Sequence, residues 1–468
     1  MKNSLPPSPV KKFTIHGLHG YKDITIDFAG PATVVVAENG TGKTTVLNAL
    51  NAFLTGRFHR LASIRFDSIE CQFAGELAPI VLERSQLGRM PLQIDENPYQ
   101  RLASMSPVSE TELVEFLQST YVPGNYMKLR THPVVHRIYM STHHDHESLE
   151  KELNLLHSML DSSLTEQAKL ISFDIRRRMG DIEVIYLPTY RRIERPLLRT
   201  KRTPSGYPPG RGNRARHEYY DDMAFGLTDV EERLVELSEE IERRSNFGYR
   251  SLSTKILDEM LKGRAKRETA QVGDLPDVDS LFRFLSRVGR EDSPLADVYD
   301  DIRRLYETGE IEGEENWFLR YFLSRLGEVI DQTRETELKV EQFVDVCNSY
   351  LTLSGDEKKL SFDPKTLKVL VQDMWANCAI SLDDLSSGEK QIVSLMSRLY
   401  LSGKPKFVLM DEPELSLSLD WQRKVLPDVV NSGTVVQMLA ITHSPFVFEN
   451  ELDKFARPLK MTRTRVAP

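Results

Sequence analysis

Residues 34–45 read VVVAENGTGKTT, a β-branched, apolar run that breaks into a glycine-rich turn and then Lys43, Thr44 and Thr45. Residue types in this order suit a polyphosphate. Gly40 and Gly42 let the backbone curl so that successive N–H groups, from Asn39 through Thr41, face phosphate oxygens. A helix starting near Lys43 would bring the positive end of its dipole to the same anion. Lys43 would then reach the β- and γ-phosphates, while the Thr44 hydroxyl would ligate Mg²⁺. Ala37 stands where the full GxxxxGK[ST] pattern has its first glycine, a change that costs little wherever its φ is negative. The bland alternative is an ordinary strand, turn and helix that match by chance.

Two segments far down the chain supply what a phosphate loop alone lacks. FVLM (407–410) is a short buried-strand run that delivers Asp411 and Glu412 to its C-terminal end. Asp411 suits the Mg²⁺ shell, directly or through water, and Glu412 is placed to polarise an attacking water as general base. Taken by themselves, two such carboxylates would more often cap a helix. LSSGEKQ (385–391) sets Ser386, Ser387, Gly388 and Glu389 before a stretch that is apolar at 392, 393, 395, 396, 399 and 400. That is a second helix N-terminus aimed at an anion. Residues 39–44 already cradle one nucleotide, so a second cradle makes best sense facing the γ-phosphate held by a neighbouring copy. Ser386 is equally an N-cap and Gly388 a turn residue, and both readings hold at once. His443 follows the run VVQMLAIT (435–442) and is either a satisfied core histidine or a γ-phosphate sensor at a strand end. Together these segments point to ATP hydrolysis at an interface between two copies of one fold.

In order and wording the segments resemble the ATP-binding-cassette ATPases of the SMC, RecF and OLD kind. The P-loop AENGTGKTT, the signature LSSGEKQ, the Walker-B run VLMDEPE and the switch histidine in THSP carry the resemblance. It covers roughly residues 10–85, 180–195 and 345–450. YLPTYRRI (186–193), FVDVCNSYL (343–351) and DEPELSLSLDWQ (411–422) are similar to the ATPase subunits of bacterial anti-phage systems such as PARIS and Septu. Ser418 departs from that pattern, since similar proteins often have His at this D-loop position. The resemblance implies an α/β P-loop NTPase of ABC-ATPase head type, a mixed sheet with an antiparallel lobe plus a helical insertion domain. It implies ATP and Mg²⁺ as ligands and a homodimer or higher oligomer of dimers. Head pairing would control a separate effector nuclease and answer to a phage trigger protein. A RecF-like repair ATPase on DNA is the alternative, whereas a transporter's compact cassette has no room for the long insertion between Lys43 and Ser386.

Composition fits a large intracellular enzyme. The 468 residues, 40% of them hydrophobic, supply a sizeable core and suggest two domains. Cys71, Cys347 and Cys378 share no CxxC spacing, which points to a reducing compartment without structural zinc. No apolar run approaches the ~18 residues of a membrane span, and MKNSLPPSPV lacks a signal-peptide core, so a cytoplasmic location with no membrane partner is expected. The net charge of −8 argues against wholesale coating of DNA. Residues 191–216 nevertheless hold nine Lys or Arg against the single acid Glu194. That stretch is either a solvated loop or a contact for nucleic acid or an acidic partner. Arg191 and Arg192 would alternatively lie near the nucleotide, where the family has its Q-loop region.

The periodicities place these residues on elements. Strands are expected at 12–18, 23–28 and 33–37, a hairpin over 68–84, and a strand at 183–188 closed by Pro188. Helices fill about 90–180, with Ser109 and Glu112 as a capping box. A further hairpin turns at Asp363-Pro364. Val230, Leu234, Leu237 and Ile241 share one helix face, as do Leu295, Val298, Tyr299, Ile302, Leu305 and Tyr306. Pro276 and Pro294 argue against a long coiled coil there and for a compact helical domain. The expected organisation is 1–88, 181–195 and 346–468 as parts of the ATPase head, 89–180 as a helical segment, and 196–345 as a helical insertion with the basic loop. His143, His144, Asp145 and His146 have the composition of metal ligands, but adjacent histidines do not share a helix face and ESLEKELNLL reads as a helix start.

Overall fold

Short alternating strands open the chain: β1 (Val10–Leu18), β2 (Lys22–Asp27) and β3 (Ala32–Val36), the last running into the glycine turn and helix α1 (Lys43–Leu54). The computed structural model describes residues 5–38, 40–62, 64–87, 98–106, 108, 110–119, 121, 126–130, 132–142, 145–188, 227–262, 274–288, 295–353 and 358–463. Asn39, Ser109, His143, His144 and the basic stretch 191–216 with Arg191 and Arg192 lie outside them. The expected hairpin forms from β4 (Ser68–Phe73) and β5 (Ile80–Glu83), antiparallel with Ser68 opposite Glu83. Helices α2 (Pro98–Ser104), α3 (Glu110–Ser119), α4 (Tyr126–Leu129), α5 (Pro133–Ser141), α6 (His146–Ser163) and α7 (Glu166–Met179) follow, then strand β6 (Glu183–Leu187). From α2 to α6 they enclose a core of their own around Tyr99, Leu113, Phe116, Leu117 and Leu153. Asp145 caps α6 by accepting the Ser148 N–H at 2.8 Å, while His146 bonds the Tyr126 hydroxyl at 3.0 Å and stacks on Tyr139. Both residues therefore serve the helix start. Glu112, with no described Ser109 to pair with, forms an ion pair with Arg137.

The second compact unit, Leu227–Ser402, holds helices α8 (Leu227–Leu261), α9 (Val278–Val288), α10 (Leu295–Glu307) and α11 (Trp317–Leu351), the antiparallel strands β7 (Lys358–Asp363), β8 (Lys368–Asp373) and β9 (Cys378–Ile380), and helix α12 (Ser387–Tyr400). Val230, Leu237 and Ile241 are buried, as their spacing predicts. Pro276 falls between helices, as expected, and Pro294 lies outside the described residues; α8 and α11, to either side, each run 35 residues. They pack antiparallel, Gly248 against Val329 and Glu259 against Tyr321. A Cβ on Gly248 would stand 2.4 Å from the Val329 side chain, so the glycine permits the close approach. The units also divide elsewhere than at 345/346, because α11 crosses that point unbroken. Residues 346–402 stay with the helices through side-chain ties. Asn348 holds Leu360 of β7 by both its amide groups, and the buried Arg287–Glu337 pair (2.8 Å) extends to the Pro364 carbonyl at 2.7 Å.

The chain then returns to the first unit, Met1–Gly226 with Gly403–Pro468, as β10 (Lys406–Asp411), α13 (Leu419–Val430), β11 (Val435–Thr442), β12 (Ala456–Pro458) and β13 (Lys460–Arg463). These complete two five-stranded sheets, one antiparallel in the order β13-β2-β1-β4-β5 and one parallel in the order β12-β3-β11-β10-β6. Every residue of β10 and β11 is buried, which explains why both are mostly apolar without alternation: a parallel strand is covered on both faces. In contrast β4 alternates buried and half-buried positions. One core joins Phe13 and Ile15 of the antiparallel sheet, Leu439 and Ile441 of the parallel sheet, and Val46, Leu50 and Phe53 of α1. Gln437, fully buried on β11, accepts the Val10 N–H at 3.0 Å and returns its own N–H to the Val10 carbonyl at 2.7 Å. The fold is thus mixed α/β, a P-loop sheet with an antiparallel lobe and a helical region, as the sequence leads one to expect. Among the described residues no helix is long and apolar enough to cross a membrane.

Candidate nucleotide-hydrolysis site

The glycine turn lies at the C-terminal edge of the parallel sheet, where ligands of such sheets bind. Gly40 and Gly42 have φ of +79° and +102°, the left-handed backbone that glycine adopts at no steric cost. Ala37 is not among the positive-φ residues, so the alanine replaces the pattern's first glycine without strain. Helix α1 begins at Lys43 as expected, and its N-cap Gly42 offers no side chain to the first-turn N–H groups. These donors suit an anion. Thr41 is tied to the turn through the Glu38 carbonyl at 2.8 Å, and Thr45 is half-buried on the first turn of α1.

Strand β10 brings its two carboxylates to this turn. The Thr44 hydroxyl donates to Asp411 Oδ2 at 2.7 Å, and Lys43 Nζ pairs with Glu412 Oε1 at 2.8 Å. Lys43 is buried, so its ammonium is matched by a carboxylate rather than by water. A hydroxyl and a carboxylate oxygen in contact form the hard-oxygen donor set that Mg²⁺ prefers, so Thr44 and Asp411 fit that ion. Glu412 has φ +50°, uncommon for a non-glycine residue, and its N–H is held by the Ile441 carbonyl at 2.9 Å. His443 comes from the end of β11, with Nδ1 3.7 Å from Glu412 Oε1 and 3.1 Å from Glu414 Oε1. Its side chain borders an open cavity of about 550 Å³ shared with Ala37, Thr41 and the C-terminal segment at Arg457.

Residues 40–45, Asp411, Glu412 and His443 are therefore assembled within one unit. Sequence reasoning passed over Glu414, the second acid of DEPE, which is 5% exposed. It accepts the Thr442 hydroxyl at 2.8 Å and the His443 backbone N–H at 3.2 Å. An acid two positions after Glu412 and a threonine just before His443 were the available signals.

Ser386, Ser387, Gly388 and Glu389 lie in the other unit. Ser386 caps α12, its hydroxyl accepting the Glu389 N–H at 3.4 Å while Glu389 Oε2 takes the Ser386 N–H at 2.7 Å. The N-cap reading is realised, in reciprocal form. Ser386 and Ser387 are exposed, and Glu389 is buried against Lys358 Nζ at 3.1 Å. Burial raises the Glu389 pKa, but the Ser386 N–H and the Lys358 ammonium outweigh it, so the carboxyl sits below its ordinary 4.5. A depressed folded value contributes stability that is present above the unfolded value and lost as pH falls through the folded one. Glu389→Gln is accordingly expected to lower the melting temperature by several degrees at pH 7. In thermal scans the gap to wild type should close as the buffer is taken below pH ~4. A gap that is constant with pH would refute the charge role.

With this geometry in place, two family profiles match the chain: an AAA domain over residues 12–87, and an AAA domain described as a putative AbiEii toxin of a type IV toxin–antitoxin system over residues 379–449. Solved structures with loose similarity include the Smc head domain with an extended coiled coil bound to the C-terminal domain of ScpA from Pyrococcus furiosus. It is 13% identical, with 98% of this chain and 96% of that one covered and a TM-score of 0.35. An SmcHead bound to the C-winged helix domain of ScpA gives 11%, 97%, 97% and 0.34. The SMC head domain from Thermotoga maritima gives 17%, 29%, 52% and 0.19. At those scores the likeness is too loose to bear on function. Fold, site and matched segments define a class, the P-loop ATPases. The two profiles add that both the glycine-turn segment and the Walker-B segment read as AAA-type within it.

Proposed function

We propose that the chain binds MgATP at residues 39–45 and hydrolyses it as a regulatory ATPase of an anti-phage defence system. Lys43 and the first-turn N–H groups of α1 hold the phosphates, and Thr44 with Asp411 holds Mg²⁺, which would neutralise phosphate charge when bound. Glu412 is the general base and His443 senses the γ-phosphate. The observation that carries this reading is the convergence of Lys43 on Glu412 and of Thr44 on Asp411 from elements far apart in sequence. Ser386–Glu389 serve the nucleotide of a second copy, so the active form is a homodimer or an oligomer of dimers in the cytoplasm. Pairing of two copies would control a separate effector nuclease in response to a phage trigger. The toxin–antitoxin wording of the second matched profile is compatible with defence. The basic composition of 191–216 favours a second reading, a RecF-like ATPase on DNA, and salt-sensitive DNA binding by the purified protein would select it.

Mixed subunits test the shared site. Lys43→Ala and Ser386→Ala proteins should each be inactive alone, and mixing them should restore part of the ATPase rate. Only a pair containing both variants has one site with intact Lys43 and intact Ser386 facing each other. A mixture as inactive as its components would reject the arrangement. Co-purification with a nuclease encoded beside it separates defence from repair.

A further inference from the structure

We propose that Glu414 is a positioning residue for His443, an inference that rests on nucleotide hydrolysis at this site. One oxygen of the buried Glu414 carboxyl, Oε1, faces three groups of the loop after β11: the Thr442 hydroxyl at 2.8 Å, the His443 backbone N–H at 3.2 Å and His443 Nδ1 at 3.1 Å. The first two are donors, and a carboxylate oxygen only accepts, so the third contact is made when Nδ1 carries its hydrogen. That fixes both the tautomer and the ring rotation and leaves Nε2 as the nitrogen available to substrate. A freely rotating imidazole on a half-exposed loop would present either nitrogen.

The same loop is tied a second time. Ser444 donates its hydroxyl to Gln422 Oε1 at 3.0 Å, and Gln422 Nε2 donates to the Leu417 carbonyl at 3.0 Å. The turn after Glu412 and the loop carrying His443 are thus held at two points, by Glu414 and by Gln422. Of these only Glu414 touches the imidazole.

A double-mutant cycle with a γ-phosphate readout tests the assignment. Glu414→Gln keeps the shape and one acceptor oxygen but removes the negative charge that strengthens the three contacts to that oxygen, and it adds an N–H₂ donor beside them. It should lower kcat about tenfold with KM for ATP within about twofold. In a His443→Ala background the same change should have no further effect. Glu414→Gln should also reduce preference for a non-hydrolysable ATP analogue over ADP as His443→Ala does, a loss that a general destabilisation would not produce. Should Glu414→Gln not fold, Thr442→Val removes another anchor of the same oxygen and enters the same cycle. Equal losses in the wild-type and His443→Ala backgrounds would overturn the proposal, as would a Glu414→Gln protein with wild-type kcat. If His443→Ala matches wild type while Lys43→Ala is dead, this inference fails and the ATPase reading stands. A wild-type protein that hydrolyses no ATP sinks that reading itself.

Discussion

Glu412→Gln is expected to bind ATP at least as tightly as wild type and to turn it over on the order of 10²–10⁴ times more slowly. The amide is nearly isosteric, and the backbone bond from the Glu412 N–H to Ile441 is untouched. What disappears is the carboxylate that pairs with Lys43 and would accept a proton from the attacking water. Binding should not suffer, because Glu412 itself pairs with Lys43. The lysine must exchange that carboxylate for phosphate, and the variant has less to exchange. Subunit pairs formed with ATP should accordingly persist, and sedimentation in ATP should show a long-lived larger species. Rapid-quench measurement of one turnover decides the matter: an unchanged rate rejects Glu412 as base.

Lys43→Ala should weaken nucleotide binding by on the order of 10–100-fold, the worth of a charge-assisted contact to phosphate. It should also abolish ATP-dependent assembly, because the triphosphate charge is left uncompensated at the point where two copies would meet. Titration with a fluorescent ATP analogue and light scattering with and without ATP read the two effects separately. Wild-type affinity in this variant would remove Lys43 from the site.

What was legible in the sequence was whatever is written in adjacent residues. The strand–turn–helix around Gly40 and Gly42, the burial of β10 and β11, and the cap at Ser386 each follow from a local pattern of residue types. Residues that act through distant partners left no such trace. Nothing near Lys43 announces its pairing with Glu412, and the acid and threonine that flank the site hint at Glu414 without showing that its carboxyl reaches His443. The left-handed backbone of Glu412 is imposed by the turn and the Ile441 carbonyl, not by a glycine or asparagine that could be read in advance. Strand β9 is only three residues long, too short for a period to show. The unit boundary was misplaced for a related reason. Nothing in the residue pattern near 345 marks a helix that runs on to Leu351 and keeps the following hairpin beside it.

Strand β3 has both of its sheet neighbours, β11 and β12, at the far end of the polypeptide. As the chain leaves the ribosome, the glycine turn therefore waits through several hundred residues of synthesis with no strand on either side of it. The carboxylates of β10 are made 367 and 369 residues after the Thr44 and Lys43 they pair with. A product interrupted before β10 can contain the whole helical unit yet lack both carboxylates that meet Lys43 and Thr44.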